Sequence, residues 1–182
     1  WGGQGMSIIG NAGRSDIEQF TTVYGLANPG TGNQTLTVNS SGTAFDGVVS
    51  VLSFSGVDLA SPVSGSGTDG TYGANTSSAV TVSGTEDGYL AGFITAGNFV
   101  GPTTFNGNIL LENNNIASSA VGVSGTSIAA TGNVTDTITW QNGSNHAHYV
   151  VAVNPIPEPS SFSLAFIALV LGFTVIRRKR RR

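Results

Sequence analysis

The chain has 182 residues, enough for one domain with a substantial core, and it contains no cysteine, which excludes disulfide frameworks, Cys-ligated zinc and thiol nucleophiles together. Its net charge of -3 hides a division: residues 1–154 hold one basic residue, Arg14, against nine acidic ones, a net -8, whereas six of the seven Lys and Arg are the last six residues. A body with one cation has no patch to neutralise phosphates, so nucleic acid is excluded as a partner.

The 26 glycines, with abundant Ser, Thr and Asn and little charge, predict an all-β domain with tight turns over residues 1–154. The opening "WGGQGMSIIG" has no initiator Met, basic n-region or apolar h-region and reads as the interior of a strand-and-turn protein, so the domain is expected to be N-terminally truncated. In "RSDIEQFTTVYG", Ser15 and Glu18 fit a helix capping box while Thr21, Thr22 and Val23 favour a strand, and both readings stay open. Strands are predicted at "TLTV" near Leu36 and at Val48–Ser55, where Val48, Leu52 and Phe54 would face the core. The Gly/Ser/Thr-rich stretch Ser61–Ser78 holds too little apolar content for a core and predicts a long surface loop.

Further strands are expected at Ala79–Ser83, Tyr89–Ala96, near Leu110, at Asp136–Gln141 and at His148–Val153. Asp46-Gly47, Asp69-Gly70, Asp87-Gly88 and Asn142-Gly143 supply turn residues that tolerate positive φ. Several short strands with regular turns imply a sandwich or barrel, and an antiparallel β-sandwich is the architecture expected. Period-2 alternation puts Ile138 and Trp140 on one face, in the core, and Thr137 and Thr139 on the other. His148–Val153 is apolar on both faces and is therefore placed centrally.

Residues able to carry chemistry are few. His146 and His148 share one face of a strand start, but no neighbouring Asp or Glu offers a third metal ligand, so they read as a hairpin-loop pair without a metal. Asp46, Asp58, Asp69 and Asp87 would be the oxygen donors for any Ca²⁺, yet none shows dense D-x-D-x-D spacing, and turn chemistry accounts for Asp-Gly. No cofactor is expected. Glu86-Asp87 are neighbours on a turn, Glu112 sits beside "NNN", and no GxSxG elbow is present, so the expectation is a protein that is not an enzyme. Tyr72, Tyr89, Phe99, Phe105 and Trp140 are the aromatics that could stack on a sugar if the body bound exopolysaccharide.

The chain ends in three parts in fixed order: Pro157-Glu158-Pro159, an uncharged run of 17 residues from Ser160 to Ile176, and the cluster Arg177, Arg178, Lys179, Arg180, Arg181, Arg182. The run, carrying Phe162, Leu164, Phe166, Ile167, Leu169, Val170, Leu171, Phe173, Val175 and Ile176, is at the lower length limit for crossing a bilayer as a helix. The prolines cannot continue that helix backward, so the preceding segment stays extended. The basic cluster holds the C-terminus in the cytoplasm, which puts the acidic body on the far side of the membrane.

This order resembles the PEP-CTERM sorting signal of exopolysaccharide-producing Gram-negative bacteria over about the last 26 residues, with no element of the pattern missing. In that family exosortase, a membrane-embedded cysteine transpeptidase, recognises the signal. The resemblance implies a precursor in the inner membrane, removal of residues 155–182 in large part, and transfer of the product to the cell surface or extracellular matrix, with a structural role in biofilm. The body, with "SFSGVDLASPV" at Ser53–Val63 and "DTITWQNGSNHAHYVVAVNP" before the tail, resembles bacterial jelly-roll domains with a Gly-Val-Asp strand end. That likeness implies a jelly-roll sandwich and, as the alternative function, a carbohydrate-binding module.

Overall fold

The computed structural model describes residues 1–14, 19–39, 49–97, 104–105, 108–116 and 119–156. The elements are β1 (Ser7–Arg14), β2 (Gln19–Gly25), β3 (Val63–Gly84), β4 (Tyr89–Gly97), β5 (Thr104–Phe105), β6 (Asn108–Ile116), β7 (Ser119–Ser127) and β8 (Gly132–Val153), with no helix among the described residues. Every ladder is antiparallel. β1 and β2 form a ribbon of their own, and the other strands join in the order β3-β8-β4-β7-β6, with β5 beside β8.

The architecture follows from the two 22-residue strands, which pair from Val63↔Val153 to Gly84↔Gly132. Fully extended, each would span roughly 70 Å. They do not, because a Cβ placed on Gly67 would lie 2.8 Å from Val80 and 3.1 Å from Val82, which belong to the same strand. The β3–β8 ribbon therefore folds back on itself, and its register breaks between Thr71 and Asn75 and again before Ser77 mark the bend. Gly73 sits there at φ 129, which a side chain would strain, and a Cβ on Gly143 would meet the Ala74 backbone at 2.8 Å.

Two facing layers result. One contains the first half of β3, the second half of β8, then β4, β7 and β6; the other contains the second half of β3, the first half of β8, and β5. Ser78, Val80 and Val82 point inward from β3 and Asp136, Ile138 and Trp140 from β8, while Ser77, Ala79, Thr81, Thr135 and Thr139 stay exposed. Between the layers lie two apolar clusters, one of Val80, Val82, Leu90, Ile128, Val150 and Ala152, the other of Ile94, Ala96, Ile138 and Trp140.

The opposite face of β4 and β8 is covered by the β1–β2 ribbon, where Ala12 and Val23 pack on Ala91, Ala147, Tyr149 and Val151. Thr21 Oγ1 donates to the Ala147 carbonyl at 2.9 Å, and the Tyr149 hydroxyl donates to the Ile9 carbonyl at 3.3 Å. The second half of β8 is thus central, bonded to β3 on one edge and β4 on the other and buried on both faces, as its doubly apolar sequence implies.

Several expectations are corrected. Ser61–Ser78 is not a surface loop: from Val63 onward it is strand, because Gly65 and Gly67 leave room for Ser83, Val80 and Val82 folded back above them. Asp136–Gln141 and His148–Val153 are parts of one strand, and Asn142-Gly143 lies in its bend rather than in a hairpin turn. Residues 49–55 and 33–39 form no strand, and Val48 lies outside the described residues. The ambiguous "FTTVYG" is strand in β2, while Ser15 and Glu18 also lie outside the described residues. β1 and β7 were not anticipated.

Trp140 is 4 % exposed and meets the His146 ring edge-on at 5.2 Å between centroids. Trp140→Ala should cost about 3–5 kcal/mol, the usual loss for a buried aromatic. Denaturant titration of the full chain checks this, and an unchanged midpoint would contradict the core assignment.

Candidate functional site

Alternation along β8 places His146 and His148 on the inner face with Val150 and Ala152, and the β3 register sets Asp69 opposite His148. The fold-back brings Ser78 and Asp136 over them from the second layer, and Ser124 of β7 reaches in from beside Gly92. Gly92 is required by this approach, since a Cβ there would fall on the Asp136 carboxylate and 2.5 Å from Ser124 Oγ. Only Asp69 retains substantial exposure, at 31 % of its side chain, whereas His146, His148, Asp136, Ser78 and Ser124 are all buried.

These groups form one continuous hydrogen-bonded chain. Asp69 accepts from Ser78 Oγ at 2.7 Å, from Thr71 Oγ1 at 2.9 Å and from His146 Nε2 at 3.1 Å. With its proton given to Asp69, the Ser78 oxygen is left to accept from His148 Nδ1 at 2.9 Å. His148 Nε2 meets Asp136 Oδ2 at 3.0 Å, and Ser124 Oγ donates to the same oxygen at 2.8 Å. The His148–Asp136 contact needs one proton, on either partner, and in both cases the buried pair carries no net charge.

Burial pushes the Asp69 carboxyl up, but the hydrogen bonds from Ser78, His146 and Thr71 and the charge of His146 outweigh it and hold the group below its ordinary value of 3.8. At the ribbon bend His146 Nδ1 and Asn75 Nδ2 are buried with no hydrogen-bond partner among the described residues, where an unpaired buried group costs about 1–3 kcal/mol.

The connectivity Ser78–His148–Asp136 has the residue types of a nucleophile, base and acid, but not their proton order. A base must present a bare nitrogen to the hydroxyl, whereas the single Ser78 proton is drawn to the Asp69 carboxylate at 2.7 Å, which leaves the hydroxyl oxygen facing His148 Nδ1, and Ser78 as a residue is 2 % exposed. The arrangement braces the two layers and cross-links both halves of β3 and β8 to β7.

No protein-family model, curated protein or solved structure matches this chain. The assignment of roles therefore rests on the residues themselves.

The two histidines share a face as the sequence implies, but they sit in a buried strand and not in a hairpin loop. Three of their four ring nitrogens are taken by Asp69, Ser78 and Asp136. Among the described residues no three His, Asp or Glu side chains are grouped to hold a metal. Of the acidic turn candidates, Asp58 accepts from the Ala60 amide at 2.9 Å within its own turn, Asp87 has φ 63 in a turn, Asp69 belongs to the buried chain, and Asp46 lies outside the described residues.

Trp140 is in the core, and Tyr89 is half-buried against Phe54 at 5.3 Å between ring centroids. Phe99 and the side chains of Tyr72, Phe105 and Glu112 lie outside the described residues, while Phe20 and Tyr24 of β2 are exposed aromatics that sequence reading passed over. Residues 157–182, with Pro157-Glu158-Pro159, the apolar run and the basic cluster, also lie outside the described residues. No helix among the described residues is long and apolar enough to cross a membrane.

Asp136→Ala would leave His148 Nε2 and Ser124 buried without their acceptor and should cost about 3–5 kcal/mol, the loss seen when one partner of a buried pair is removed. A denaturation midpoint equal to the parent's would contradict a bracing role. Asp69 binds its proton more weakly folded than unfolded, so its stabilisation is complete above pH 3.8 and is lost as pH falls from there through the lower folded value. Asp69→Asn should remove that part of the acid-side loss in midpoint-against-pH curves, and parallel curves for parent and variant would contradict it.

Proposed function

We propose that this chain is the precursor of an exported bacterial surface or matrix protein, a non-enzymatic jelly-roll β-sandwich handed by its C-terminal signal to exosortase. The observation that carries the reading is the tail: Pro157-Glu158-Pro159, an uncharged run from Ser160 to Ile176 and six consecutive basic residues. The division of charge supports the orientation, because an acidic body with one cation has nothing to hold it on the cytoplasmic side.

The end of the body supports the same reading. Asn154 donates through Nδ2 to the Ser61 carbonyl at 2.8 Å and through its amide to the Pro62 carbonyl at 3.0 Å, and Ile156 N donates to the Gly56 carbonyl at 2.7 Å. These bonds tie the body down as far as Ile156, the residue before Pro157, at which the proposed signal begins. The proton order at Ser78 and its burial favour a structural body over a hydrolase. Burial of Trp140 takes one of the five candidate aromatics away from the carbohydrate-binding alternative.

In cells that contain exosortase, the surface form should lack the peptides of the basic cluster, and replacing Pro157 and Pro159 with Ala should leave the full-length precursor in the inner membrane. Mass spectrometry of the surface fraction reads this directly. Recovery of Arg182 on the mature surface protein would overturn the proposal.

A further inference from the structure

We infer that the corner formed by Phe54, Leu59 and Ile156 is a bilayer-contacting surface that seats the body on the membrane beside the point where the chain enters it. The inference rests on the proposed span over residues 160–176.

Those three residues occupy one corner because the backbone ties them together. Val57 pairs with Pro155 in an isolated antiparallel bridge, Ile156 N donates to the Gly56 carbonyl at 2.7 Å, and Asp58 N donates to the Asn154 carbonyl at 3.2 Å. Leu59 follows Asp58 and Phe54 precedes Gly56 by two residues, so both flank the exit of the chain. All three are open to solvent, Phe54 at 39 %, Leu59 at 52 % and Ile156 at 58 %. Three large apolar side chains presented together form a patch that calls for an apolar partner.

Chain length decides which partner. Three residues, Pro157, Glu158 and Pro159, separate Ile156 from Ser160, where the apolar run begins, and the four extended steps between the two reach at most about 14 Å. With the run in the bilayer, this corner is held within that distance of the membrane surface, where an aromatic and two aliphatic side chains suit the headgroup boundary. A cytoplasmic or distant protein partner would have to displace lipid already tethered there. The bend of the ribbon, at Thr76, is at the other end of the layer, roughly 25 Å away along the strands. With one cation in the body, the contact is apolar and needs no anionic lipid.

The chain contains no cysteine, so single substitutions Leu59→Cys, Phe54→Cys, Thr76→Cys and Leu171→Cys can each carry a fluorophore in the full-length chain reconstituted into phosphatidylcholine vesicles. Headgroup-nitroxide lipid should quench the probes at 59 and 54 several-fold more strongly than the probe at 76, and equally in vesicles containing phosphatidylglycerol. Mid-chain nitroxide should quench the probe at 171. Quenching at 171 with probes at 59 and 54 no more affected than the one at 76 would overturn the seating while leaving the span intact. Shielding of 59 and 54 from aqueous iodide without nitroxide quenching would overturn it in favour of a protein contact. No quenching at 171 would remove the span and the seating together.

Discussion

The fold depends on a chain of hydrogen bonds, Thr71–Asp69–Ser78–His148–Asp136–Ser124 with His146 attached at Asp69, that starts at the exposed Thr71 and crosses, buried from Ser78 onward, between the two layers. Apolar packing alone would hold the layers together at many offsets, since Val80, Val82, Val150 and Ala152 are similar in shape. The polar chain does not tolerate offsets. A one-residue slip of β8 against β3 would turn His148 and Asp136 to the opposite face, leaving Ser124 buried without its acceptor and Ser78 without His148. The chain lies between two dry clusters, so its bonds are shielded from water on both sides.

The glycine-rich composition serves the same geometry. Two 22-residue strands folded double bring backbone against backbone at the bend and along the layers, and Gly67, Gly92 and Gly143 stand where a Cβ would collide with Val80, Asp136 and Ala74. The scarcity of Lys and Arg is of a piece with this: each buried histidine stands against an aspartate, and no lysine or arginine is buried among the described residues.

The two ends of the folded body differ in character. One is the bend, where His146 Nδ1 and Asn75 Nδ2 are buried without a partner among the described residues. The other is the exit, where Asn154, Pro155 and Ile156 are fixed by the segment from Gly56 to Pro62 and apolar side chains face outward. The proposed sorting signal follows the second end, so the central strand β8 leads into the segment on which export and processing are expected to act.

The sequence by itself determined the β class, the strands at Tyr89–Ala96 and near Leu110, the inward Ile138 and Trp140, and the central place of His148–Val153, because each is written in two-residue periodicity or in apolarity on both faces. It also placed His146 and His148 on one face. Only the tertiary structure decided that the strand begins at Val63, well before the expected Ala79–Ser83, and that residues 49–55 are not strand, since a run of Gly, Ser and Thr becomes a strand when a long partner and a tight second layer demand small residues, and an apolar run without a ladder partner among the described residues does not. Only the tertiary structure, likewise, found the buried chain: Asp69 stands 77 residues from His146 and Ser78 stands 70 from His148, and no local pattern announces a hydrogen bond made by folding one ribbon back upon itself.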